Sequence, residues 1–283
     1  MIAQPHPLVQ RLDTLWVEPG LTFGHDRRLL TVFPLRGEAH GALRYAPLDA
    51  ALAAGTLEIR EADPPSVNLL HVVNRGDLPV LITDGEELVG GRQNRVTNST
   101  TLSPRGRTAL PVSCVERGRW RPDAAGFAAH EAAYPALRQA KVMQVRDSLR
   151  VAGIHRADQA EVWASIAARQ ADHAVASDTE ALRDLYDGRR ERLDDYARAL
   201  PAPRDVVGLI VAYGGRIAAL EVFDAPATLG RLWPKLVRAA ALDALALPPA
   251  AAVARDRACG CCTARGRRRS SSSRRPGSVW TCG

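Results

Sequence analysis

Along the first 120 residues, hydrophobic and polar positions alternate with a period close to two, as in strands that bury one face. The segment LTFGHDRRLLTVFPL (21–35) predicts a hairpin that turns at His25 and Asp26. The segment APLDAALAAG (46–55) predicts a short helix that ends at Gly55. The chain therefore begins as a β-rich structure.

The same alternation continues beyond this helix, through the strand TLEIRE (56–61). VNLLHVV (67–73) and LPVLITDG (78–85) predict an up-and-down pair, because the Asn, Gly and Asp between them tolerate the dihedral angles of a tight reversal. RVTNSTTL (95–102) and TALPVSCVE (108–116) are rich in β-branched residues, so we expect them to extend the sheet.

After residue 120 the apolar positions recur every three or four residues, which predicts amphipathic helices. One covers 127–151, broken or kinked at Pro135, and another covers 157–175. The segment 177–180 (Ser-Asp-Thr-Glu) matches a capping box that opens a further helix, which ends before Pro201.

A late hairpin and a last helix complete the pattern. The hairpin covers 206–224 with Gly214 and Gly215 at its turn, and the helix starts near Pro226. This order predicts an α+β fold, with a β-rich, mostly antiparallel N-terminal half covered by C-terminal helices. We expect an N-terminal extension over 1–33, a single domain over 34–247 and a separate tail over 248–283.

Composition adds that the protein is a soluble globular chain. It has 283 residues, of which 46% are hydrophobic and 24% charged. It shows no long uninterrupted apolar run and no signal-peptide pattern at its start, which predicts a cytoplasmic protein without a membrane segment. The body carries one cysteine, Cys114, so no disulfide framework is expected there.

The net charge of +7 lies entirely in the tail. After residue 250, eight arginines stand against one aspartate, so the first 250 residues are neutral. No field over the body favours polyanions, and we therefore expect no nucleic-acid partner. The tail also holds Cys259, Cys261, Cys262 and Cys282, with no hydrophobic period and no zinc-site spacing. A disordered basic arm, a metal or redox knuckle and out-of-frame translation of a GC-rich gene are the alternatives, and the last is favoured.

The most polar block of the body, GEELVGGRQNR (85–95), follows an apolar strand. Arginine offers a planar fork to phosphate, carboxamides can bind sugar or base edges, and adjacent glycines permit close approach of a ligand or another backbone. The alternative is structural: ion pairs and capped turns. The candidate acid–base residues here are Glu86 and Glu87, and the candidate ligand-binding residues are Gln93, Asn94 and Arg95.

A second block, PVSCVERGRW (111–120), adds a third candidate acid–base residue, Glu116. Its candidate ligand-binding residues are Ser113, Cys114, Arg119 and Trp120. A Trp face beside an Arg can stack on a ring, and a Glu can accept from ribose hydroxyls. The alternative for Trp120 is a place in the core. For Cys114, one alternative is a catalytic nucleophile, and the other, more common in proteins, is a small buried side chain.

Other familiar chemistries lack their motifs. The seven histidines have no metal-ligand spacing, so no metal and no cofactor are predicted. No phosphate loop, dinucleotide fingerprint or nucleophile elbow occurs around these blocks.

These blocks, together with PLRG (34–37), DQAEVW (158–163) and VFDAPATLGRLWPKL (222–236), resemble a prokaryotic domain family. The family is named for its association with ADP-ribosylglycohydrolase and rhodanese-phosphatase proteins, and the resemblance runs from about Pro34 to about Leu247. It implies a link to ADP-ribose or NAD-derived nucleotides in conflict or stress systems, without assigning catalytic residues.

We therefore expect a cytoplasmic domain that recognises a nucleotide of the ADP-ribose or NAD class; whether it also processes that nucleotide as an enzyme stays open. The alternative is a non-enzymatic module of a conflict or stress system that binds a protein partner. Convergence of Glu86 or Glu87 with Arg95, Glu116 and Arg119 in one concavity would favour the ligand, and pairing of these residues on a convex face would favour the module.

Overall fold

The computed structural model describes residues 14–38, 44–122, 126–255 and 257–258. The fold is α+β, as predicted, with mostly antiparallel strands in the N-terminal half. The chain forms two compact units, one over Ala42–Asp194 and one from the segments on either side of it. The domain boundaries expected at 33/34 and 247/248 stay predictions.

Fourteen strands and five helices make up the described part of the chain. In chain order they are β1 (Trp16–Val17), β2 (Leu21–His25), β3 (Arg28–Arg36), β4 (Ala46–Pro47), α1 (Leu48–Ala53), β5 (Leu57–Ser66), β6 (Leu69–Asn74), β7 (Val80–Ile82), β8 (Glu86–Gly90), β9 (Arg95–Thr97), β10 (Thr101–Ser103), β11 (Gly106–Cys114), β12 (Phe127–Ala132), α2 (Pro135–Ala152), α3 (Gln159–Asp172), α4 (Leu182–Ala199), β13 (Gly208–Tyr213), β14 (Arg216–Val222) and α5 (Pro226–Ala246).

The central unit contains a six-stranded antiparallel sheet in the order β12-β8-β9-β11-β6-β5 and a small sheet in the order β10-β7-β4. Long strand β11 pairs with β6 through its first half and with β9 through its last three residues. Apolar residues of these strands and of α1 form one buried cluster, whose members include Leu57, Leu70, Leu88 and Leu110. The ends of β9 and β11 lie side by side next to this cluster.

The flanking unit is built on an antiparallel sheet in the order β1-β3-β13-β14, with β2 also paired to β3. The predicted hairpins are confirmed. Asp26 and Arg27 form the first turn at φ 50° and 58°, one residue later than expected because His25 still pairs with Arg28, and Gly214 and Gly215 form the late one at φ 58° and 74°. The sequence gives no signal that β3 and β13 pair across more than 170 intervening residues, because each hairpin is predicted only from its own local pattern.

Part of the segment that was expected to be a separate tail packs on this sheet. Val253 and Ala258 are buried in a cluster with Phe33 and Ile210, and the Arg255 guanidinium donates to the Val17 carbonyl at 3.1 and 2.5 Å. The four tail cysteines lie outside the described residues.

The predicted up-and-down pair over 67–85 is wrong, because its two strands belong to different sheets. Asn74 explains the divergence: its side chain accepts from the Gly76 N–H at 2.9 Å and donates to the carbonyls of Leu78 and Ser103. These bonds fix a turn that leads the chain away from β6 instead of back along it.

Two helix predictions are also corrected. Residues 127–132 form strand β12, and the helix begins only at Pro135, a residue suited to a first helical turn because it needs no N–H acceptor. The predicted capping box does not form, because Glu180 has φ 52° and α4 starts at Leu182. The Ser177 hydroxyl instead accepts from the Ala181 N–H and donates to Asp184.

The helix predicted over 157–175 is confirmed as α3, with Asp158 accepting from the N–H groups of Ala160 and Glu161 as its N-cap. The short helix before Gly55 is confirmed too, and Gly55 has φ 66°. No helix within the described ranges is long and apolar enough to cross a membrane.

Candidate functional site

The two polar blocks meet where β9 lies between β8 and β11. Arg95 pairs with Leu88 of β8 and with Cys114 of β11, so these three side chains share one face of the sheet. The face is the apolar one that carries Leu88 in the buried cluster. The register therefore directs a charged guanidinium toward the interior of the central unit.

Glu116 is the centre of a buried hydrogen-bond network. Its Oε2 accepts from the Arg119 guanidinium at 2.6 Å and from the Asn94 N–H at 2.9 Å, and its Oε1 accepts from the Thr179 hydroxyl at 3.1 Å. The Gln93 side chain donates to the Glu116 carbonyl at 3.0 Å. Both carboxylate oxygens are thus engaged within the protein, which favours a positioning role for Glu116 over the ribose contact expected from the sequence.

Arg119 connects the same network to the glycine pair. Its guanidinium donates to the carbonyls of Gly91 and Gly90 at 2.8 and 3.3 Å and to Asn94 Oδ1 at 3.1 Å. A Cβ on Gly90 would stand 2.2 Å from the Gly126 carbonyl, and both glycines have positive φ. The close backbone approach expected from this glycine pair is confirmed, and the approaching partner is protein backbone.

The charge of Glu116 is stabilised where it lies. Burial raises the pKa of its carboxyl, but the hydrogen bonds from Arg119, Asn94 and Thr179 outweigh burial, so that the net pKa is lowered. The group stays an anion at neutral pH, which is unsuited to a general acid.

Arg95 has a fully buried side chain, 0% exposed, that is only half satisfied. Its Nη1 donates to the Gln93 carbonyl at 2.9 Å and, at longer range, to Gln93 Oε1 and the Asn94 carbonyl. Its Nε and Nη2 have no hydrogen-bond acceptor among the described residues. Nε and Nη2 are the two donors of one guanidinium edge, the fork that binds carboxylate or phosphate oxygens bidentately.

Glu61 and Trp120 lie beside this edge. The Glu61 Oε2 atom is 4.0 Å from Arg95 Nη2, too far for a hydrogen bond, and it has no donor among the described residues, while Glu61 Oε1 accepts from the Arg92 N–H at 2.8 Å. The Arg95 guanidinium carbon is 5.8 Å from the centre of the Trp120 ring, and that of Arg92 is 5.7 Å away. Trp120 is 48% exposed, so it lies on the surface rather than in the core.

Cys114 lies in this cluster, with its thiol and its backbone polar groups hydrogen-bonded within the protein. Its thiol donates to the Glu116 carbonyl at 3.4 Å, and its backbone N–H and C=O bond to the Gln159 side chain of α3 at 2.8 and 2.7 Å. Burial raises the pKa of the thiol, and the positive charge of Arg95 opposes it only in part. A neutral, buried thiol is a poor nucleophile.

The remaining candidates lie elsewhere. Glu87 pairs with Val96 in the sheet and therefore points to the face opposite Arg95, where its Oε2 is 2.8 Å from His130 Nδ1. Ser113 lies on that same face and donates to Asn98 Oδ1 at 2.9 Å.

Glu86 stands at the start of β8, where its backbone N–H donates to the Thr97 hydroxyl and its Oε2 accepts from Thr83. The structure thus brings Gln93, Asn94, Arg95, Cys114, Glu116, Arg119 and Trp120 together and separates Glu87 and Ser113 from them.

Sequence reasoning did not name four residues that build these sites: Glu61, His130, Gln159 and Thr179. Glu61 comes from an ordinary alternating strand, 24 residues before the start of the polar block at Gly85. One indirect signal existed, because a Cβ on Gly91 would stand 2.7 Å from Glu61 Oε1, so the glycine marks that approach. No group of three or more His, Cys, Asp or Glu side chains suited to a metal ion occurs in the part of the chain that the structure describes.

Comparison with known proteins assigns the chain to a family. No curated protein and no solved structure matches the chain. The family model of the ARG and Rhodanese-Phosphatase-superfamily-associated Protein domain, ARPP-1, matches residues 22–272 and so covers both polar blocks. That match extends over most of the 283 residues, and the chain therefore belongs to the ARPP-1 domain family.

Proposed function

We propose that the chain recognises a phosphate-bearing nucleotide of the ADP-ribose or NAD class, with Arg95 as its central contact. The observation that carries the proposal is the buried Nε–Nη2 edge of Arg95, which has no acceptor among the described residues. Buried polar groups in folded proteins are nearly always hydrogen-bonded, so an unsatisfied guanidinium edge points to an acceptor that binds from outside the chain.

The surroundings of this edge fit an oxyanion. Burial lowers the pKa of Arg95, but a guanidinium remains charged at neutral pH, and the two N–H groups of its free edge run parallel at the spacing of phosphate oxygens. A buried charge of this kind interacts more strongly with an anion than a surface Lys does, because less water screens it. A diphosphate is the part of an ADP-ribose-type ligand that satisfies such an edge.

Trp120 supplies the second contact. Its ring is about half exposed and stands within cation–π distance of both Arg92 and Arg95. An exposed indole beside two guanidiniums suits a planar base or ribose face, with the phosphate toward the arginines. The family name, which associates the domain with ARG proteins, is consistent with this ligand class.

Glu116, Arg119, Asn94 and Gln93 form the frame of the proposed site. Their hydrogen bonds fix the main chain at 93–94, whose carbonyls hold Arg95 Nη1, so they determine where the unsatisfied edge points. This gives Glu116 and Arg119 an indirect role in binding, through the orientation of Arg95.

The alternative, a protein-interaction module, draws on a different observation. The frame is satisfied internally, as expected of a structural network, and Trp120 is an exposed large apolar residue of the kind found at interfaces. In that case a carboxylate of the partner protein would occupy the Arg95 edge, and free nucleotides would bind weakly or not at all.

A thermal-shift panel on the full chain separates the two. We expect ADP-ribose, NAD or pyrophosphate to stabilise the protein and adenosine to do so far less. A ligand at about 100 times its Kd contributes roughly 2.7 kcal/mol, which raises Tm by about 5 to 10 °C in a chain of this size. Arg95→Met should abolish the shift, and the matched control Arg60→Met, at an exposed arginine of β5, should keep it. No shift with any phosphate compound would contradict the proposal.

A further inference from the structure

On the face of the sheet opposite Arg95, a buried carboxylate orients a half-buried histidine. The register of β12 on β8 shifts between Ala129 and Ala132, and this irregularity places His130 next to Glu87. The His130 Nδ1 atom lies 2.8 Å from Glu87 Oε2, and the Glu87 side chain is fully buried, whereas that of His130 is 26% exposed. The pair thus connects the interior to the surface.

From this geometry we infer that His130 and Glu87 form a second site, in which His130 acts as a general base toward a water molecule or a ligand hydroxyl. A carboxylate can only accept, so Glu87 holds the ring proton on Nδ1 and leaves the lone pair of the neutral ring on Nε2. Nε2 bonds to none of the described residues, and it is the nitrogen that can reach a bound hydroxyl.

The proton balance is complete within the pair. Nε2 takes the proton from the O–H group, the oxygen keeps the electron pair and becomes the nucleophile, and the imidazolium charge is balanced by Glu87. The same carboxylate–histidine arrangement fixes ring orientation and stabilises imidazolium in many acid–base sites.

The charged groups around His130 strengthen it as a base. Burial lowers the pKa of His130, but its hydrogen bond to Glu87 and the charges of Glu87, Glu131 and Asp187 together raise it. On α4, Arg183 donates to Asp187 at 3.1 Å, and the positive charge of Arg183 also opposes the rise in the pKa of Glu87.

Glu87 also offers a place for the ligand itself. Its Oε1 is buried and has no donor in the described part of the chain. Burial raises the pKa of Glu87 in spite of His130, so a further donor from a ligand hydroxyl would stabilise the anion. A hydroxyl that donates to this oxygen or to Nε2 is the chemistry that the pair accepts.

Hydrolysis of p-nitrophenyl acetate by the full chain tests the inference independently of any nucleotide. The water oxygen attacks the acetyl carbon, the ester C–O bond breaks, p-nitrophenolate leaves, and His130 takes the water proton. We expect His130→Gln to lower the protein-dependent rate at least about tenfold, within the range of general base catalysis. The control His155→Gln, at an exposed histidine on the α2–α3 connection, should keep the rate. Equal rates in the two variants would overturn the inference.

Glu87→Gln sharpens the test, because it removes the anion but keeps an acceptor for Nδ1. It should move the midpoint of the pH–rate profile to lower pH, whereas a purely structural role of Glu87 would leave the midpoint in place. If these variants do not fold, carbethoxylation of the wild-type chain by diethyl pyrocarbonate, followed residue by residue, replaces them. We expect the pH midpoint of His130 modification to lie above the ordinary pKa of about 6.5 and above that of His71, whose pKa burial lowers. An unreactive His130 would overturn the inference.

Discussion

Lys141 and Arg95 are both fully buried cations of the central unit, yet their surroundings differ. The Lys141 ammonium donates to Asp84 Oδ1 at 2.5 Å and to the Thr97 carbonyl at 2.6 Å, and the Asp84 carboxylate also faces Arg138 at 3.6 Å. Arg95 satisfies one nitrogen on neutral carbonyls and leaves the edge formed by the other two without an acceptor. Lys141 thus forms a close ion pair with a carboxylate, whereas the carboxylate nearest to Arg95 lies beyond hydrogen-bond distance.

The difference teaches how to separate a structural charge from a functional one. Removing a cation from water is costly, and a close counter-ion offsets that cost only when geometry is good. At Lys141 the chain supplies the counter-ion. At Arg95 the nearest carboxylate, Glu61, stands at 4.0 Å and leaves the compensation incomplete, as expected where a ligand is to supply the rest.

The largest expected effect is on the closed pair. Lys141→Met leaves Asp84 buried with only the more distant Arg138, and we expect the free energy of unfolding to fall by about 3 to 5 kcal/mol. Chemical denaturation measures this. Lys235→Met, at the chain's other lysine, is the control and should cost much less. Equal stability of the two variants would remove the contrast between Lys141 and Arg95.

Arg95→Met should lower the free energy of unfolding by about 1 to 2 kcal/mol, less than Lys141→Met, because the hydrogen bonds that it removes go to neutral carbonyls. In the same denaturation experiment, pyrophosphate should stabilise the wild type and leave this variant unchanged. A cost as large as that of Lys141→Met, with pyrophosphate stabilisation intact, would make Arg95 a structural cation.

Glu61→Gln is expected to change affinity rather than stability. The Glu61 carboxylate is the anion closest to the Arg95 edge and repels a phosphate there, so its neutralisation should tighten binding of ADP-ribose about 3- to 10-fold. Titration calorimetry measures the Kd. The control Glu58→Gln lies on the same strand but pairs with Arg60 and Arg75, and it should leave the Kd unchanged. Weaker binding by Glu61→Gln would mean that Glu61 supports the ligand.

The smallest expected effect is on the stability that Glu116, a residue of the frame, contributes, and it appears only at acidic pH. Because the folded-state pKa of Glu116 is lowered, its contribution to stability is present above the unfolded pKa and is lost as pH falls through the folded pKa. Glu116→Gln should therefore flatten the stability curve below about pH 4.5, by at most about 1.4 kcal/mol per pH unit. Denaturation midpoints between neutral pH and pH 3 measure it, and an unchanged acid slope would contradict the assignment.

Local patterns predicted much of the fold, because hairpins and helices depend on neighbouring residues. The two hairpins, which turn at Asp26–Arg27 and at Gly214–Gly215, and the helix that begins after Asp158 are of this kind. What failed was decided by distant contacts: Asn74 bonds to Ser103, and Thr179, which lies inside the expected capping box, bonds to Glu116.

Most residues of the candidate site could be predicted from the sequence, but their arrangement in space could not. The blocks around Arg95 and Glu116 are conspicuous in the sequence, and the strand register brings them together. The same register directs the Glu87 side chain to the face of the sheet opposite Arg95. A register shifted by one residue would direct it to the face of Arg95. Glu61 and His130 become visible only once the sheet is formed, since neither has a motif of its own.

Titration calorimetry of ADP-ribose into the full chain, comparing wild type with Arg95→Lys, tests the central claim most directly. Lysine keeps the charge but cannot form a two-donor edge. We predict saturable binding by the wild type, at least about tenfold weaker binding by Arg95→Lys, equivalent to about 1.4 kcal/mol, and unchanged binding by the control Arg60→Lys. Equal affinity of wild type and Arg95→Lys, or no binding by the wild type, would contradict the claim that the Arg95 edge recognises the phosphate.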